Sequence, residues 1–274
     1  MSEPVVPGAR LLPLDARRGL WAWAALCLAV GLGALLYLSL SRSISADPLL
    51  MPLDDTYIHF QYARQMAAGE PFAYHPGAPA TSGGTSLLYP IILAAGYWLG
   101  FTGWSLAYWA VALGALAFVG AAWLAYRIGL ANPLAHEAAP RPAFALALAI
   151  AFALTGPFLW AALSGMETAF LILFVVGTLW ALVHQRPGLA SLFASLATLT
   201  RPEAVGLGLA ALIASVLAPP LAGRPRGKGL ILLSLPVLAA CVSPMVNWLL
   251  TGSLSPTGFL AKSWITNQPY DPRV

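Results

Sequence analysis

The side chains able to act on a substrate are few and widely spaced. Asp54 and Asp55 are adjacent. Two neighbouring carboxylates can hold a cation, or one can act as a general base while the other orients it. The plain alternative is an acidic cap at a helix start plus solvated loop charge, and spacing alone does not choose between them. His59 follows Asp55 by one helical turn on the same face, with Arg64 further along; a lone histidine is more commonly an ordinary polar contact than a ligand. Glu167, within Ser164-Gly165-Met166-Glu167-Thr168, separates two strongly apolar stretches. An ionisable group in hydrocarbon costs roughly 2.5–3.5 kcal/mol on insertion scales, so it faces a cavity or a partner unless it reaches interfacial water. Arg201 and Glu203 interrupt another apolar stretch, and Pro202 breaks the helix between them. Freed backbone at membrane depth is tolerated where it lines a cavity, and Arg suits phosphate oxygens; the competing reading is a mutual ion pair at a helical hairpin. Lys262, beyond Thr251-Gly252-Ser253-Leu254-Ser255-Pro256, adds a further cation. The run Thr81-Ser82-Gly83-Gly84-Thr85-Ser86 either lets backbone approach a ligand closely or is a flexible entry to the next helix.

The elements that must position these groups are apolar. Hydrophobic residues make up 59% of the 274 and charged residues only 9%, against about 25% charged in an ordinary globular domain; mean hydropathy is +0.76. No Asp, Glu, Lys or Arg occurs in Leu20–Ser41, Pro71–Tyr126, Pro142–Met166, Thr168–Gln185, Ala204–Gly223 or Gly229–Ala261. A spanning helix needs about 20 mostly apolar residues, and its backbone must be satisfied within the segment. The expected fold is therefore an all-α, polytopic transmembrane bundle. The net charge of +4 fits basic loops on the cytoplasmic side better than nucleic-acid binding. Cys27 and Cys241 lie in apolar spans, with no disulfide or metal spacing.

The chain divides into a cytoplasmic tail (1–20), a first span (21–40), a long outer loop (41–86), a helix bundle (87–250) and an outer segment (251–274). Arg10, Arg17 and Arg18 before the first span suit a retained signal anchor. In the outer loop, Asp54–Ala68 reads as a short helix whose Ile58, Tyr62 and Met66 stripe would lie along the membrane surface. Leu87–Tyr126 holds either two spans or a short re-entrant piece, Leu87–Gly100, followed by one span; the second option restores the charge rule downstream. The cluster Tyr97, Trp98, Phe101, Trp104, Tyr108 and Trp109 suits an interface belt. Ala143–Leu163 then runs outward and Thr168–Val183 inward. Leu189–Leu199 and Ala204–Leu221 form two arms meeting at Thr200–Glu203, and Leu230–Leu250 runs outward. This topology puts nine basic and three acidic residues inside, with five basic and seven acidic outside.

Taken in order, Asp54-Asp55-Thr56-Tyr57-Ile58-His59-Phe60-Gln61-Tyr62-Ala63-Arg64, Tyr74-His75-Pro76-Gly77, Thr85-Ser86-Leu87-Leu88-Tyr89, Ser164–Thr168, Thr200–Glu203 and Gly252–Pro256 with Lys262 resemble the GT-C superfamily of membrane glycosyltransferases. The likeness is to the bacterial arabinofuranosyl- and mannosyltransferase-like branch that uses polyprenyl-phosphate sugars. It covers most of the chain from Asp54 onward.

The resemblance implies a catalytic acid on Asp54 or Asp55 in the first outer loop, a lipid-linked donor entering from the bilayer, and an extracytoplasmic acceptor. On that basis the donor phosphate falls to Arg201 and Lys262, with Glu167, Glu203, His59 and Arg64 orienting sugar hydroxyls or cations. No cofactor is required, although a divalent cation at Asp54 and Asp55 is an open alternative, and no nucleic-acid partner is implied. Thr257 stands where the family often has Asn, and the chain ends at Val274, short of the family's usual length, so the family's later spans are expected to be absent. The competing classes are a transporter or lipid flippase, which predicts an internal repeat and mid-span polar residues, and a non-catalytic remnant.

Overall fold

The computed structural model describes residues 16–44, 49–81, 83–84, 86–131, 142–217 and 226–254, so Ser82, Thr85 and Lys262 lie outside the described residues. Among these the chain is all-α, with one isolated antiparallel bridge between Ala73 and Ala80.

Three helices are long and apolar enough to cross a membrane. They are α1 (Ala16–Ile44), α4 (Ser105–Ala131) and the run Gly229–Thr251, in which α10 (Arg226–Ala240) passes through a turn at Cys241 into α11 (Val242–Thr251). Their lengths of 29, 27 and 23 residues exceed the roughly 20 needed. Along α1, Leu28, Leu32, Leu35 and Leu36 are all more than half exposed, a surface that suits lipid rather than water.

The segment 143–163, expected to be one straight span, is broken. Helices α5 (Pro142–Ala153) and α6 (Gly156–Leu163) bend by 59° between them. Thr155 adopts an extended conformation, and Pro157 follows at the second position of α6, where its missing N–H costs nothing. Gly156-Pro157 was the local sign of the break. Counted as one span, the bent pair brings the total to four.

Shorter helices complete the fold: α2 (Asp54–Ala67), α3 (Leu88–Trp98), α7 (Thr168–Val183), α8 (Pro187–Thr200) and α9 (Val205–Leu217). At about 1.5 Å per residue, the 11 residues of α3 fall far short of a bilayer. The region 87–126 therefore holds one short helix and one long one. Phe101 stacks on Trp109 at 5.2 Å, and Trp109 packs on Gly96, closing the α3–α4 corner; Trp98 and Trp104 point outward.

Helix α2 buries a broader face than the expected Ile58, Tyr62 and Met66 stripe, of which Tyr62 is buried and Met66 packs on the apolar cluster. Its buried residues include Thr56, His59, Phe60 and Ala63, an i, i+3, i+4, i+7 face, while Ile58 is only half-buried. Phe60 and Ala63 join Tyr89, Leu93, Leu106 and Leu163 in one apolar cluster, with Tyr37 and Leu38 of α1 packed against it. One face of the helix packs against α3 and the ends of α1, α4 and α6, while Asp54, Tyr57 and Arg64 stay exposed on the other.

Below this cluster a second core joins α1, α4, α5, α6 and α7 through Leu26, Val30, Phe118, Tyr126 and several alanines. Small residues set the close approaches. Leu159 of α6 lies over Gly33, Ala145 of α5 over Gly129, and the Ala162 carbonyl presses on Gly114. The α6–α7 turn is thereby anchored on α4 at Gly114. A Cβ there would overlap the Ala162 carbonyl oxygen, whereas nothing lies within 4 Å of a Cβ at Gly31. Gly114→Ala is expected to cost about 1–3 kcal/mol, the range for overpacking, and Gly31→Ala to be neutral or slightly stabilising. Thermal unfolding of the two detergent-solubilised variants checks this; equal midpoints would show that the turn is not seated on α4.

Candidate functional site

Glu167 sits at the head of α7, after the tight turn Ser164–Met166, and is fully buried. The turn depends on Gly165, whose φ of +78° lies in the left-handed region that glycine adopts without strain. Two bonds tie it to other elements. The Thr56 hydroxyl of α2 donates to the Ser164 carbonyl at 3.1 Å, and the Tyr89 hydroxyl of α3 donates to the Gly165 carbonyl at 2.6 Å.

Two side chains reach this acid from distant parts of the chain. His59 Nε2 of α2 lies 3.1 Å from Glu167 Oε2. Arg201 Nε lies 3.4 Å from Glu167 Oε1 and 3.1 Å from Glu203 Oε1. These are ion-pair distances; the angles at both Glu167 oxygens fall short of aligned hydrogen bonds. The Arg201 side chain is 36% exposed and that of Glu203 68%, whereas His59 and Glu167 are almost wholly enclosed. The cluster therefore grades from a sealed inner pair to a wet outer pair.

Arg201 is placed by a local break in the helix. Helix α8 ends at Thr200, Arg201 is extended, and Pro202–Ala204 forms one 3-10 turn before α9. The Leu87 N–H donates to the Leu199 carbonyl at 3.2 Å, binding the start of α3 to this break. The ion-pair reading of Arg201 is realised, since it pairs with Glu203 across the proline, and it also reaches the buried acid.

Burial raises the proton affinity of the Glu167 carboxyl. His59, the backbone at Glu167 itself and Arg201 outweigh it and hold the group below the usual carboxylate range. Glu167 is thus an anion at neutral pH, matched by cationic and donor groups on either side. The His59 ring stands edge-on to Tyr89 at 5.3 Å, and its buried Nδ1 has no hydrogen-bond partner among the described residues. A Cβ at Gly84 would lie 3.7 Å from that nitrogen, and the Gly83 N–H donates to the Tyr62 hydroxyl at 2.7 Å. Gly84 thus packs on His59 and Gly83 on Tyr62.

Asp54 and Asp55 begin α2, one turn before His59. Asp54 Oδ1 accepts the Asp55 N–H at 2.9 Å, but the N-cap position is Leu53 and carries no side-chain cap bond, so neither acid caps the helix as the plain reading had it. Asp54 is exposed and Asp55 partly so. In helical projection Asp55 flanks the buried His59 face, while Asp54 aligns with Tyr57, Gln61 and Arg64 on the other side. Among the described residues no group of three or more His, Cys, Asp or Glu is arranged to hold a metal ion. Sequence reasoning brought His59, Glu167, Arg201 and Glu203 forward, but gave no role to Thr56, Tyr89 or Gly165, which entered only as members of the quoted motifs. Comparison with protein-family models, with curated proteins and with solved structures finds no match in any of the three.

Proposed function

We propose that this chain is a polytopic membrane glycosyltransferase that moves a sugar from a polyprenyl-phosphate donor to an acceptor on the extracytoplasmic side. The observation that carries the reading is the His59–Glu167–Arg201 cluster, which meets α2 one turn after that helix begins with Asp54 and Asp55. It joins acid, histidine and guanidinium from α2, α7 and the α8–α9 break in one place.

Two aromatic and basic belts support the membrane placement. At one end, Trp23 meets Trp123 edge-on at 5.4 Å, and Arg127 lies over Trp123. At the other, Arg42 donates to the Tyr108 hydroxyl at 3.1 Å and lies over its ring. Nineteen residues of α1 separate Trp23 from Arg42, or about 28 Å of helix, close to the roughly 30 Å of a hydrocarbon core. The α6–α7 turn meets α4 at Gly114, which is six residues, or about 9 Å, inside the Tyr108 belt. Glu167 then lies below the outer boundary, where the sugar–phosphate linkage of a lipid-borne donor is within reach.

In this mechanism the acceptor hydroxyl attacks the anomeric carbon as the carbon–oxygen bond to phosphate breaks. The proton passes to Asp54 or Asp55, the bonding pair leaves with the polyprenyl phosphate, and the anomeric centre inverts. Polyprenyl phosphate is a good leaving group, so positive charge matters more than general-acid help. Both carboxylate contacts of Arg201 run through Nε, leaving the end of the guanidinium to an incoming phosphate. Lys262 is the second cation assigned to that phosphate. Preorganised charge in a dry site is commonly the largest catalytic term, and Glu167 preorganises Arg201.

The test is sugar transfer by purified protein supplied with a labelled polyprenyl-phosphate sugar and glycan acceptors. Transfer is expected in the parent chain and lost in Asp54→Asn or Asp55→Asn, with expression and melting midpoint retained. Full transfer by both single variants and by the double variant would remove these acids from the mechanism. Lipid translocation without transfer would favour a transporter.

A further inference from the structure

On the face of α2 opposite the buried cluster lies an open cavity of about 800 Å³, within the size range of small-molecule sites. Its walls are aromatic: Tyr57, Tyr74, Tyr97 and Trp104, with Gln61 and Arg64 between them. Tyr57, Gln61 and Arg64 follow one another at i, i+4 and i+7, and Asp54 leads the same row three residues before Tyr57. The Gln61 amide donates to the Tyr74 carbonyl at 2.6 Å, and the Met51 N–H donates to the Tyr57 hydroxyl at 2.9 Å. These two wall residues are therefore held in place rather than free to rotate. Arg64 is exposed and has no carboxylate partner among the described residues. Trp104 is 56% exposed and stands one turn before Tyr108, the belt residue that meets Arg42, so the cavity opens at the water boundary.

We infer that this cavity binds the acceptor, and that the acceptor is a glycan bearing an anionic group such as a carboxylate or phosphate. Flat aromatic walls with polar tips suit the mixed apolar and hydroxylated faces of a sugar ring. An unpaired guanidinium among them selects for an anion, to which it can bond in a bidentate manner. Asp54 heads the same row of α2 one turn before the lining residue Tyr57, which sets the proposed base beside the cavity. The inference rests on the transferase reading for the role of the ligand, but binding is measured without turnover, so the two fail separately. Transfer to a neutral acceptor with no anion preference would overturn this inference and leave that reading intact.

Ligand-observed NMR titration of the detergent-solubilised chain provides the test. Methyl β-glucuronide and methyl β-glucoside form the central pair, since they differ only in carboxylate against hydroxymethyl; inorganic phosphate and nanodiscs of phosphatidylglycerol are the other probes. The glucuronide is expected to bind at least tenfold more tightly than the glucoside. Arg64→Gln should erase that difference at an unchanged melting midpoint, and Trp104→Ala should weaken both sugars alike. A preference that survives Arg64→Gln, equal binding of the two sugars, or binding of neither overturns the proposal. So does inorganic phosphate binding as tightly as the glucuronide. Displacement of the glucuronide by phosphatidylglycerol nanodiscs, but not by neutral ones, would assign the cavity to a phospholipid headgroup and overturn it too.

Discussion

Replacing Glu167 by Ala should destabilise the protein by about 3 kcal/mol, near the lower end of the 3–5 kcal/mol typical when one partner of a buried ion pair is removed. The lower end is expected because Arg201 is about a third exposed and keeps Glu203, 3.1 Å away, as a partner. His59 has neither relief, being enclosed and losing the carboxylate that faces its Nε2. The double variant His59→Ala/Glu167→Ala should therefore lose less than the sum of the singles, with a coupling of about 1–3 kcal/mol. Additive effects, or a Glu167→Ala loss below about 0.5 kcal/mol, would mean that the cluster is not cohesive. Acidity offers a second readout. The folded-state affinity of Glu167 for protons is depressed below the ordinary carboxylate value of 4.5. Its contribution is therefore fully present above that value and lost as pH falls through the lower folded-state value. Unfolding midpoints of the parent chain and of Glu167→Gln should differ at pH 7 and converge in acid below 4.5.

How much of this centre was legible depended on which residues broke a pattern. Glu167, Arg201 and Glu203 stand out because each interrupts an apolar stretch. Buried charges in hydrocarbon must find one another, so their meeting could be expected without knowing the route. His59 gave no such signal. It sits among Asp, Gln, Tyr and Arg in a segment polar enough to read as a surface helix, and the Ile58, Tyr62 and Met66 stripe marked only part of the face that is packed. What turned α2 was packing: Phe60 and Ala63 fill the space left between α3 and α4, and the Thr56 hydroxyl finds the Ser164 carbonyl. Tertiary contacts over a separation of 108 residues leave no local trace. Likewise Tyr89 reads as one more aromatic residue near an interface, although its hydroxyl holds the turn before the buried acid. The long apolar helices were legible from composition, whereas the break between α5 and α6 depended on Gly156-Pro157, a pair easily absorbed into an unbroken hydrophobic run.

Gly165→Ala should be as damaging as loss of Glu167 itself, for reasons that can be separated. At a φ of +78° a Cβ carries a backbone penalty of about 1–2 kcal/mol. It would also stand 2.6 Å from Met51 Sδ and 2.8 Å from Thr56 Cγ2, and overpacking of that kind adds about 1–3 kcal/mol. Gly252 isolates the first effect, since its φ is +72° and nothing lies within 4 Å of a Cβ there. Gly252→Ala should therefore cost only the backbone part, and Gly165→Ala clearly more. Met51→Ala combined with Gly165→Ala should recover part of the difference by vacating the thioether. Thermal unfolding of the three variants measures each contribution, and a Gly165→Ala no worse than Gly252→Ala would show that α2 does not press on the turn. If transfer activity is established, the same comparison tests how Glu167 is positioned. Moving Gly165 away from Thr56 shifts an acid two residues downstream that must face both His59 and Arg201. Activity in the Gly165→Ala protein that remains folded should then fall further than the folded fraction does, while in Gly252→Ala the two should fall together.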